Sequence, residues 1–137
     1  MNTLIFFLAI AYTVVYAFTK ARRDYNVILN DKGRTIYSDR WHSWGMAQSM
    51  VAFTPWIILL LFGYDLYLFA LLTVVVSLMF WQLNESLIGY FLYKELFYID
   101  NSKFGLWLKR VFWNGFNVFV IRFVIIGCVT LEYFRNI

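Results

Sequence analysis

Long uncharged apolar runs, separated by short polar stretches, organise this chain. Thr3 to Thr19 (TLIFFLAIAYTVVYAFT) carries no charge and, at about 1.5 Å per helical residue, covers roughly 26 Å, the short end of what crosses a bilayer. A cleaved secretory signal fits this run poorly, because no basic residue precedes it and Tyr16 and Phe18 flank Ala17 where small residues would be needed. A second run goes from Trp44 to Phe62 and a third begins at Leu66, with Gly63-Tyr64-Asp65 between them. So short a connection predicts a tight hairpin of two antiparallel helices. Pro55 inside the second run lacks a backbone donor and predicts a bend between Val51 and Pro55.

The third run is interrupted by Gln82, Asn84 and Glu85 but resumes at Leu87, so a helix is predicted from Leu66 to Tyr93. That helix would be about 42 Å long, more than the hydrocarbon core needs, and must tilt or project into the interface. The last apolar run, Phe116 to Leu131, is interrupted only by Arg122. Before it, Phe104, Trp107, Leu108, Val111 and Phe112 recur at helical spacing among Lys103, Lys109, Arg110 and Asn114, the pattern of an amphipathic helix lying along a membrane surface. The pattern as a whole predicts an all-α integral membrane protein in a single membrane domain, 1–137. It has four transmembrane helices at about 3–19, 44–62, 66–93 and 111–131, with an interfacial helix at 102–112.

Between the first two runs, Tyr25-Asn26-Val27-Ile28-Leu29 and Arg34-Thr35-Ile36-Tyr37 are β-prone and flank Asn30-Asp31-Lys32-Gly33. Asn and Asp open type I turns and Gly33 can take a positive φ, so a small cytoplasmic β-hairpin is predicted over 25–37. Orientation follows from charge. Ten of the twelve Lys and Arg residues lie in two segments, Lys20, Arg22, Arg23, Lys32, Arg34 and Arg40 after the first span, and Lys94, Lys103, Lys109 and Arg110 after the third. With four spans both segments face one side, which the positive-inside rule makes cytoplasmic, and both termini are then non-cytoplasmic.

Composition agrees with lipid as solvent. The chain is 62% hydrophobic and 15% charged, where soluble domains run at roughly 45–50% apolar and about 25% charged. Cys128 has no second cysteine to pair with and His42 is the single histidine, so neither a disulfide scaffold nor a Cys/His metal cage is expected, and no cofactor is implied. The net charge of +4 reads as a topology signal, and no nucleic-acid partner is expected.

Polar groups at membrane depth are the candidates for function: Gln82, Asn84, Glu85 and Arg122. Glu85 lies about 12 Å from the Tyr93 end of its helix and Arg122 about 16 Å from Val111, so the two are placed to pair across a helix interface, as a register-fixing ion pair or as a substrate, ion or proton site. His42 in Asp39-Arg40-Trp41-His42-Ser43-Trp44 sits at the mouth of the second span. There it reads as an interfacial polar residue or, beside Arg40, as a base or phosphate contact. No nucleophile elbow, zinc-protease motif or phosphate-binding glycine loop is present, so no catalytic residue is assigned. Ala9, Thr13 and Ala17, and likewise Thr73 and Ser77, place small residues at every fourth position and predict close helix packing within one chain or between copies.

Three motifs, Trp41-His42-Ser43-Trp44, Asn84-Glu85 and the Tyr-rich loop from Phe97 to Asn101 leading to Arg110, give the chain a resemblance. In their order it resembles small polytopic membrane proteins met in phage and prophage gene sets. The resemblance implies a virion-membrane or lysis-related role and supplies no catalytic mechanism. Three functions follow as expectations. The first is a non-enzymatic structural or assembly subunit, embedded in the lipid bilayer, working as a homo-oligomer or with other membrane subunits. The second is a holin-like permeabilising protein. The third is a membrane-interface enzyme or carrier using Arg40, His42, Glu85 and Arg122.

Overall fold

The computed structural model describes residues 1–30, 48, 52, 54–99 and 103–137. Among these the regular elements are all helices, joined by short turns. Helix α1 spans Asn2–Asn30. A 3-10 turn, Thr54–Ile57, leads into the single-turn α2, Ile58–Leu61. They are followed by α3, Leu66–Tyr93, α4, Lys103–Phe112, and α5, Gly115–Arg135. Three helices, those at Asn2–Asn26, Leu66–Tyr93 and Gly115–Arg135, are long and apolar enough to cross a membrane.

Two expectations are corrected. The four-span fold is not found: the described residues contain three helices of membrane length. Within the run at 44–62 the described residues include Gln48 and Ala52, both helical, the 3-10 turn and α2, and they make up no helix of membrane length. Pro55 lies in that 3-10 turn, where its missing N–H cannot continue an α-ladder and favours a short 3-10 start to α2. The cytoplasmic β-hairpin at 25–37 is not found either. Its first predicted strand, Tyr25–Leu29, is the last part of α1, and no strand occurs among the described residues; Arg34–Tyr37 lie outside them. Strand propensity there is overridden by helix continuation. Lys20 pairs with Asp24 one turn later at 2.7 Å, and the Tyr25 ring packs 5.5 Å from Phe91 of α3.

Side-chain contacts fix how the helices run. Phe6 of α1 packs with Leu68 and Leu72 early in α3, Tyr16 lies 5.3 Å from Phe80, and Tyr25 reaches Phe91. Helices α1 and α3 are therefore parallel. Helix α5 runs against both, with Tyr133 near its end 4.9 Å from Phe6. Because α1 and α3 are parallel, the chain returns between Asn30 and Asp65 to the end where it began. Part of that return follows α1: Tyr16 donates to the Gln48 carbonyl at 3.4 Å and Tyr12 to the Ala52 carbonyl at 2.8 Å, and the Trp56 ring lies 5.6 Å from Tyr12.

The α1–α3 seam is built on small residues. Ala9, Thr13, Ala17 and Ala21 repeat every fourth position and are fully buried, letting the backbones approach where lipid gives no hydrophobic push. Thr13 spends its hydroxyl on the Ala9 carbonyl at 2.7 Å, so a polar atom is buried without being orphaned. Leu68, Leu72, Val75 and Val76 face this seam from α3, whereas Thr73 and Ser77 are exposed.

The helix ends are closed by their own side chains. Asp65 accepts from the Leu68 N–H at 2.9 Å and starts α3; at the other end Lys94 turns left-handed at φ 62° and the Glu95 N–H returns to the Gly89 carbonyl at 3.3 Å. Between α4 and α5, Trp113 takes φ 67° and Asn114 accepts from the Asn117 N–H at 2.8 Å, while Asn117 donates to the Phe112 carbonyl at 2.9 Å. The corner is thus pinned on both sides.

Candidate functional site

Arg122 is the centre of the polar interior. It sits two turns into α5, in a helix that is mostly aliphatic and aromatic, and so must find its partners on another helix or in water. It finds three on α3. Its Nη1 donates to the Glu85 carboxylate at 2.5 Å and to the Gln82 amide oxygen at 3.1 Å, and its guanidinium lies 4.1 Å from the centre of the Trp81 ring. Residues 81, 82 and 85 share one face of α3 because 85 follows 81 by four positions and 82 by three, the spacings that bring helical side chains together. Gln82 is in turn oriented by donating to the Ser86 hydroxyl at 3.0 Å.

Burial makes this a dry ion pair. The side chains of Arg122 and Glu85 are 6% and 5% exposed. In so low a dielectric the Coulombic attraction is strong, but each ion has lost its hydration, so the cluster is stable only while both charges are present. Among the described residues, the buried Arg122 Nη2 meets no hydrogen-bond partner, nor do the Asn84 amide oxygen and the Trp56 indole N–H. Aromatic packing encloses the cluster from outside: Phe104 of α4 lies 5.2 Å from Trp81, and Ile99, Leu108 and Val118 pack beside it.

The sequence candidates separate. Glu85 and Arg122 are joined directly, with Asn84 on the adjacent face of α3. Ala9, Thr13 and Ala17 line the α1–α3 seam, on the other side of α3's contacts. Arg40 and His42 lie outside the described residues. Among those described, no group of three or more His, Cys, Asp or Glu converges as a metal site.

Two further clusters were not singled out from sequence. At the Lys20 end, Asp24 is 2% exposed and accepts from Lys20 at 2.7 Å and from the Arg23 guanidinium at 3.1 Å, while Arg23 also donates to Gln48 at 2.8 Å. The i, i+4 spacing of Lys20 and Asp24 was a signal for it. At the opposite end, Tyr133 is fully buried, hydrogen-bonds the Tyr64 hydroxyl and donates to the Asn2 carbonyl at 3.0 Å. Burial and then the Tyr133 hydroxyl push the Tyr64 phenol above its ordinary range. Nothing local in sequence links residues 2, 64 and 133.

No protein family, curated protein or solved structure matches the chain.

Proposed function

We propose that this chain is a non-enzymatic membrane-embedded subunit with a structural or assembly role. The observation that carries the reading is the Glu85–Arg122 pair: the two charges placed deepest in the long helices are spent on each other. A pair of this kind fixes the register and rotation of α5 against α3, a specificity role for which buried polar groups are suited. The outer faces are apolar instead. Leu4, Phe7, Leu8 and Val15 of α1 and Phe123, Val124, Ile125 and Leu131 of α5 are exposed large hydrophobics, a surface that suits acyl chains or neighbouring helices and not water.

Charge gives the orientation. Arg22, Arg23, Lys94 and Arg110 are exposed toward the ends of α1, α3 and α4 that meet α5 at its start. The other end carries Asp65, Glu132 and Arg135. The positive-inside rule assigns the basic end to the cytoplasm and the end holding Asn2 and Ile137 to the opposite side. A phage or prophage membrane role, as the motif resemblance implies, is one setting for such a subunit.

The test is isolation of the whole chain in mild detergent with crosslinking beforehand. A defined oligomer, or a stoichiometric membrane partner, is expected. A lone monomer with no crosslinked partner would overturn the subunit reading.

A further inference from the structure

Helix α4 is apolar on two sides. Its inner stripe, Gly105, Leu108 and Phe112, turns toward the bundle, where Leu108 packs with Ile99 and Val118 and Phe112 lies against the same cluster. A second stripe at the same spacing, Phe104, Trp107 and Val111, is exposed, and so are Leu106 and Trp113. Arg110 projects between these residues, one helical turn from Leu106 and Trp107. Trp113 is 87% exposed although its backbone is held at φ 67°, a conformation a bulky residue rarely adopts. The pinned corner at Asn114 and Asn117 sustains that conformation and turns the indole outward.

Resting on the membrane placement proposed above, we infer that the outer face of α4 is a binding surface for anionic phospholipid headgroups. Three observations converge on that occupant. Charge is the first: among described residues at this end, Arg22, Arg23, Lys94 and Arg110 are exposed and Lys109 is half-buried, whereas Asp24 is buried by Lys20 and Arg23, leaving Glu95 as the exposed acid. The second is chemistry. Trp107 and Trp113 beside a guanidinium match the headgroup layer, where an indole is wet at one edge and apolar elsewhere and Arg binds a phosphate with two parallel donors. The third is position. Phe104 packs on Trp81, well inside α3, while Arg110 lies toward the Gly115 end, so α4 slants from apolar depth to the polar boundary. Its exposed stripe thus continues the apolar surface of the long helices while its cation reaches the phosphates.

The experiment is native mass spectrometry of the full chain in detergent with equimolar phosphatidylglycerol and phosphatidylcholine. The intact protein is expected to retain phosphatidylglycerol in preference. Arg110→Gln should reduce that preference about fivefold, the effect of one basic residue near an anionic surface. Arg110→Lys should keep most of it, and Arg135→Gln, at the opposite end, should leave it unchanged. Equal retention of the two lipids overturns the inference, as does an equal loss in the Arg110→Gln and Arg135→Gln variants, which would mean a net-charge effect without a site. If Arg110→Gln left lipid retention intact but dispersed an oligomer, α4 would be a contact between copies and the inference would fall while the subunit reading stood. Loss of the oligomer in the intact chain with lipid preference preserved would do the reverse.

Discussion

Tyr133, near the carboxyl end of the last helix, donates to the backbone carbonyl of Asn2 at 3.0 Å, a bond that spans 131 positions of sequence. With the Tyr64 hydroxyl also on Tyr133, one side chain ties together the start of α1, the turn before α3 and the end of α5. The two ends of the bundle are thereby distinguished: one closed by phenols and short acidic caps, the other by lysines and arginines.

Removing this clamp is predicted to loosen one end of the bundle without unravelling it. Tyr133→Phe deletes the hydroxyl shared by Asn2 and Tyr64 and should lower stability by about 1–3 kcal/mol, the range for a buried bond whose partner is left unsatisfied. Reversible unfolding in mixed detergent micelles measures this. An unchanged midpoint would show that water replaces the hydroxyl without loss.

The Glu85–Arg122 pair predicts a strongly non-additive series. Glu85→Ala or Arg122→Ala alone leaves a buried charge uncompensated and should cost about 3–5 kcal/mol, whereas replacing both with leucine or methionine should restore most of the loss. A double-mutant cycle in micelles reads the coupling. Additive losses would contradict direct pairing.

Two glycines are predicted to be irreplaceable and a third freely replaceable. A Cβ at Gly89 would meet the Tyr98 side chain and stand 2.6 Å from the Glu95 carbonyl oxygen, and one at Gly115 would overlap the Phe97 carbonyl. Alanine at either should destabilise the turn that carries α4. Gly127 has open space around it, so Gly127→Ala should be neutral or stabilise by up to about 1 kcal/mol through helix propensity. Thermal midpoints of the three variants decide.

Alkaline pH is predicted to weaken the phenol cluster. Burial and the Tyr133 hydroxyl raise the Tyr64 phenol above its ordinary range. The neutral phenol is therefore favoured in the fold, and its contribution is complete below about pH 10, where the unfolded phenol titrates. It is lost as pH rises from there through the raised folded value. The slope of stability against pH above about 10 should flatten in Tyr64→Phe; an identical slope would contradict the assignment.

Much of the architecture could be read directly from the chain. Apolar runs around Leu8, Val75 and Val124 are too long for anything but membrane-length helices, and Glu85 and Arg122 stood out because ionisable groups are rare in such runs. Strand propensity at Tyr25–Leu29 yields to the Lys20–Asp24 pair and the Phe91 contact, which favour helix. Apolar content across Trp44–Phe62 is blind to Pro55, whose missing donor goes with the 3-10 turn at Thr54–Ile57. Trp81 as a guanidinium platform and the Asn2–Tyr64–Tyr133 clamp were illegible because tertiary proximity alone creates them. The same small-residue spacing is buried at Ala9, Thr13 and Ala17 and exposed at Thr73 and Ser77. Periodicity marks a face without saying what it meets.

The bundle is predicted to cross a membrane with its basic end and its phenol-closed end on opposite sides. The decisive experiment is cysteine labelling with an impermeant thiol reagent, in a Cys128→Ser background carrying Asp65→Cys, Ile137→Cys or Lys94→Cys. In intact cells the Asp65→Cys and Ile137→Cys variants should be modified and the Lys94→Cys variant should react only after the membrane is opened. Equal modification of Asp65→Cys and Lys94→Cys before opening would contradict the account.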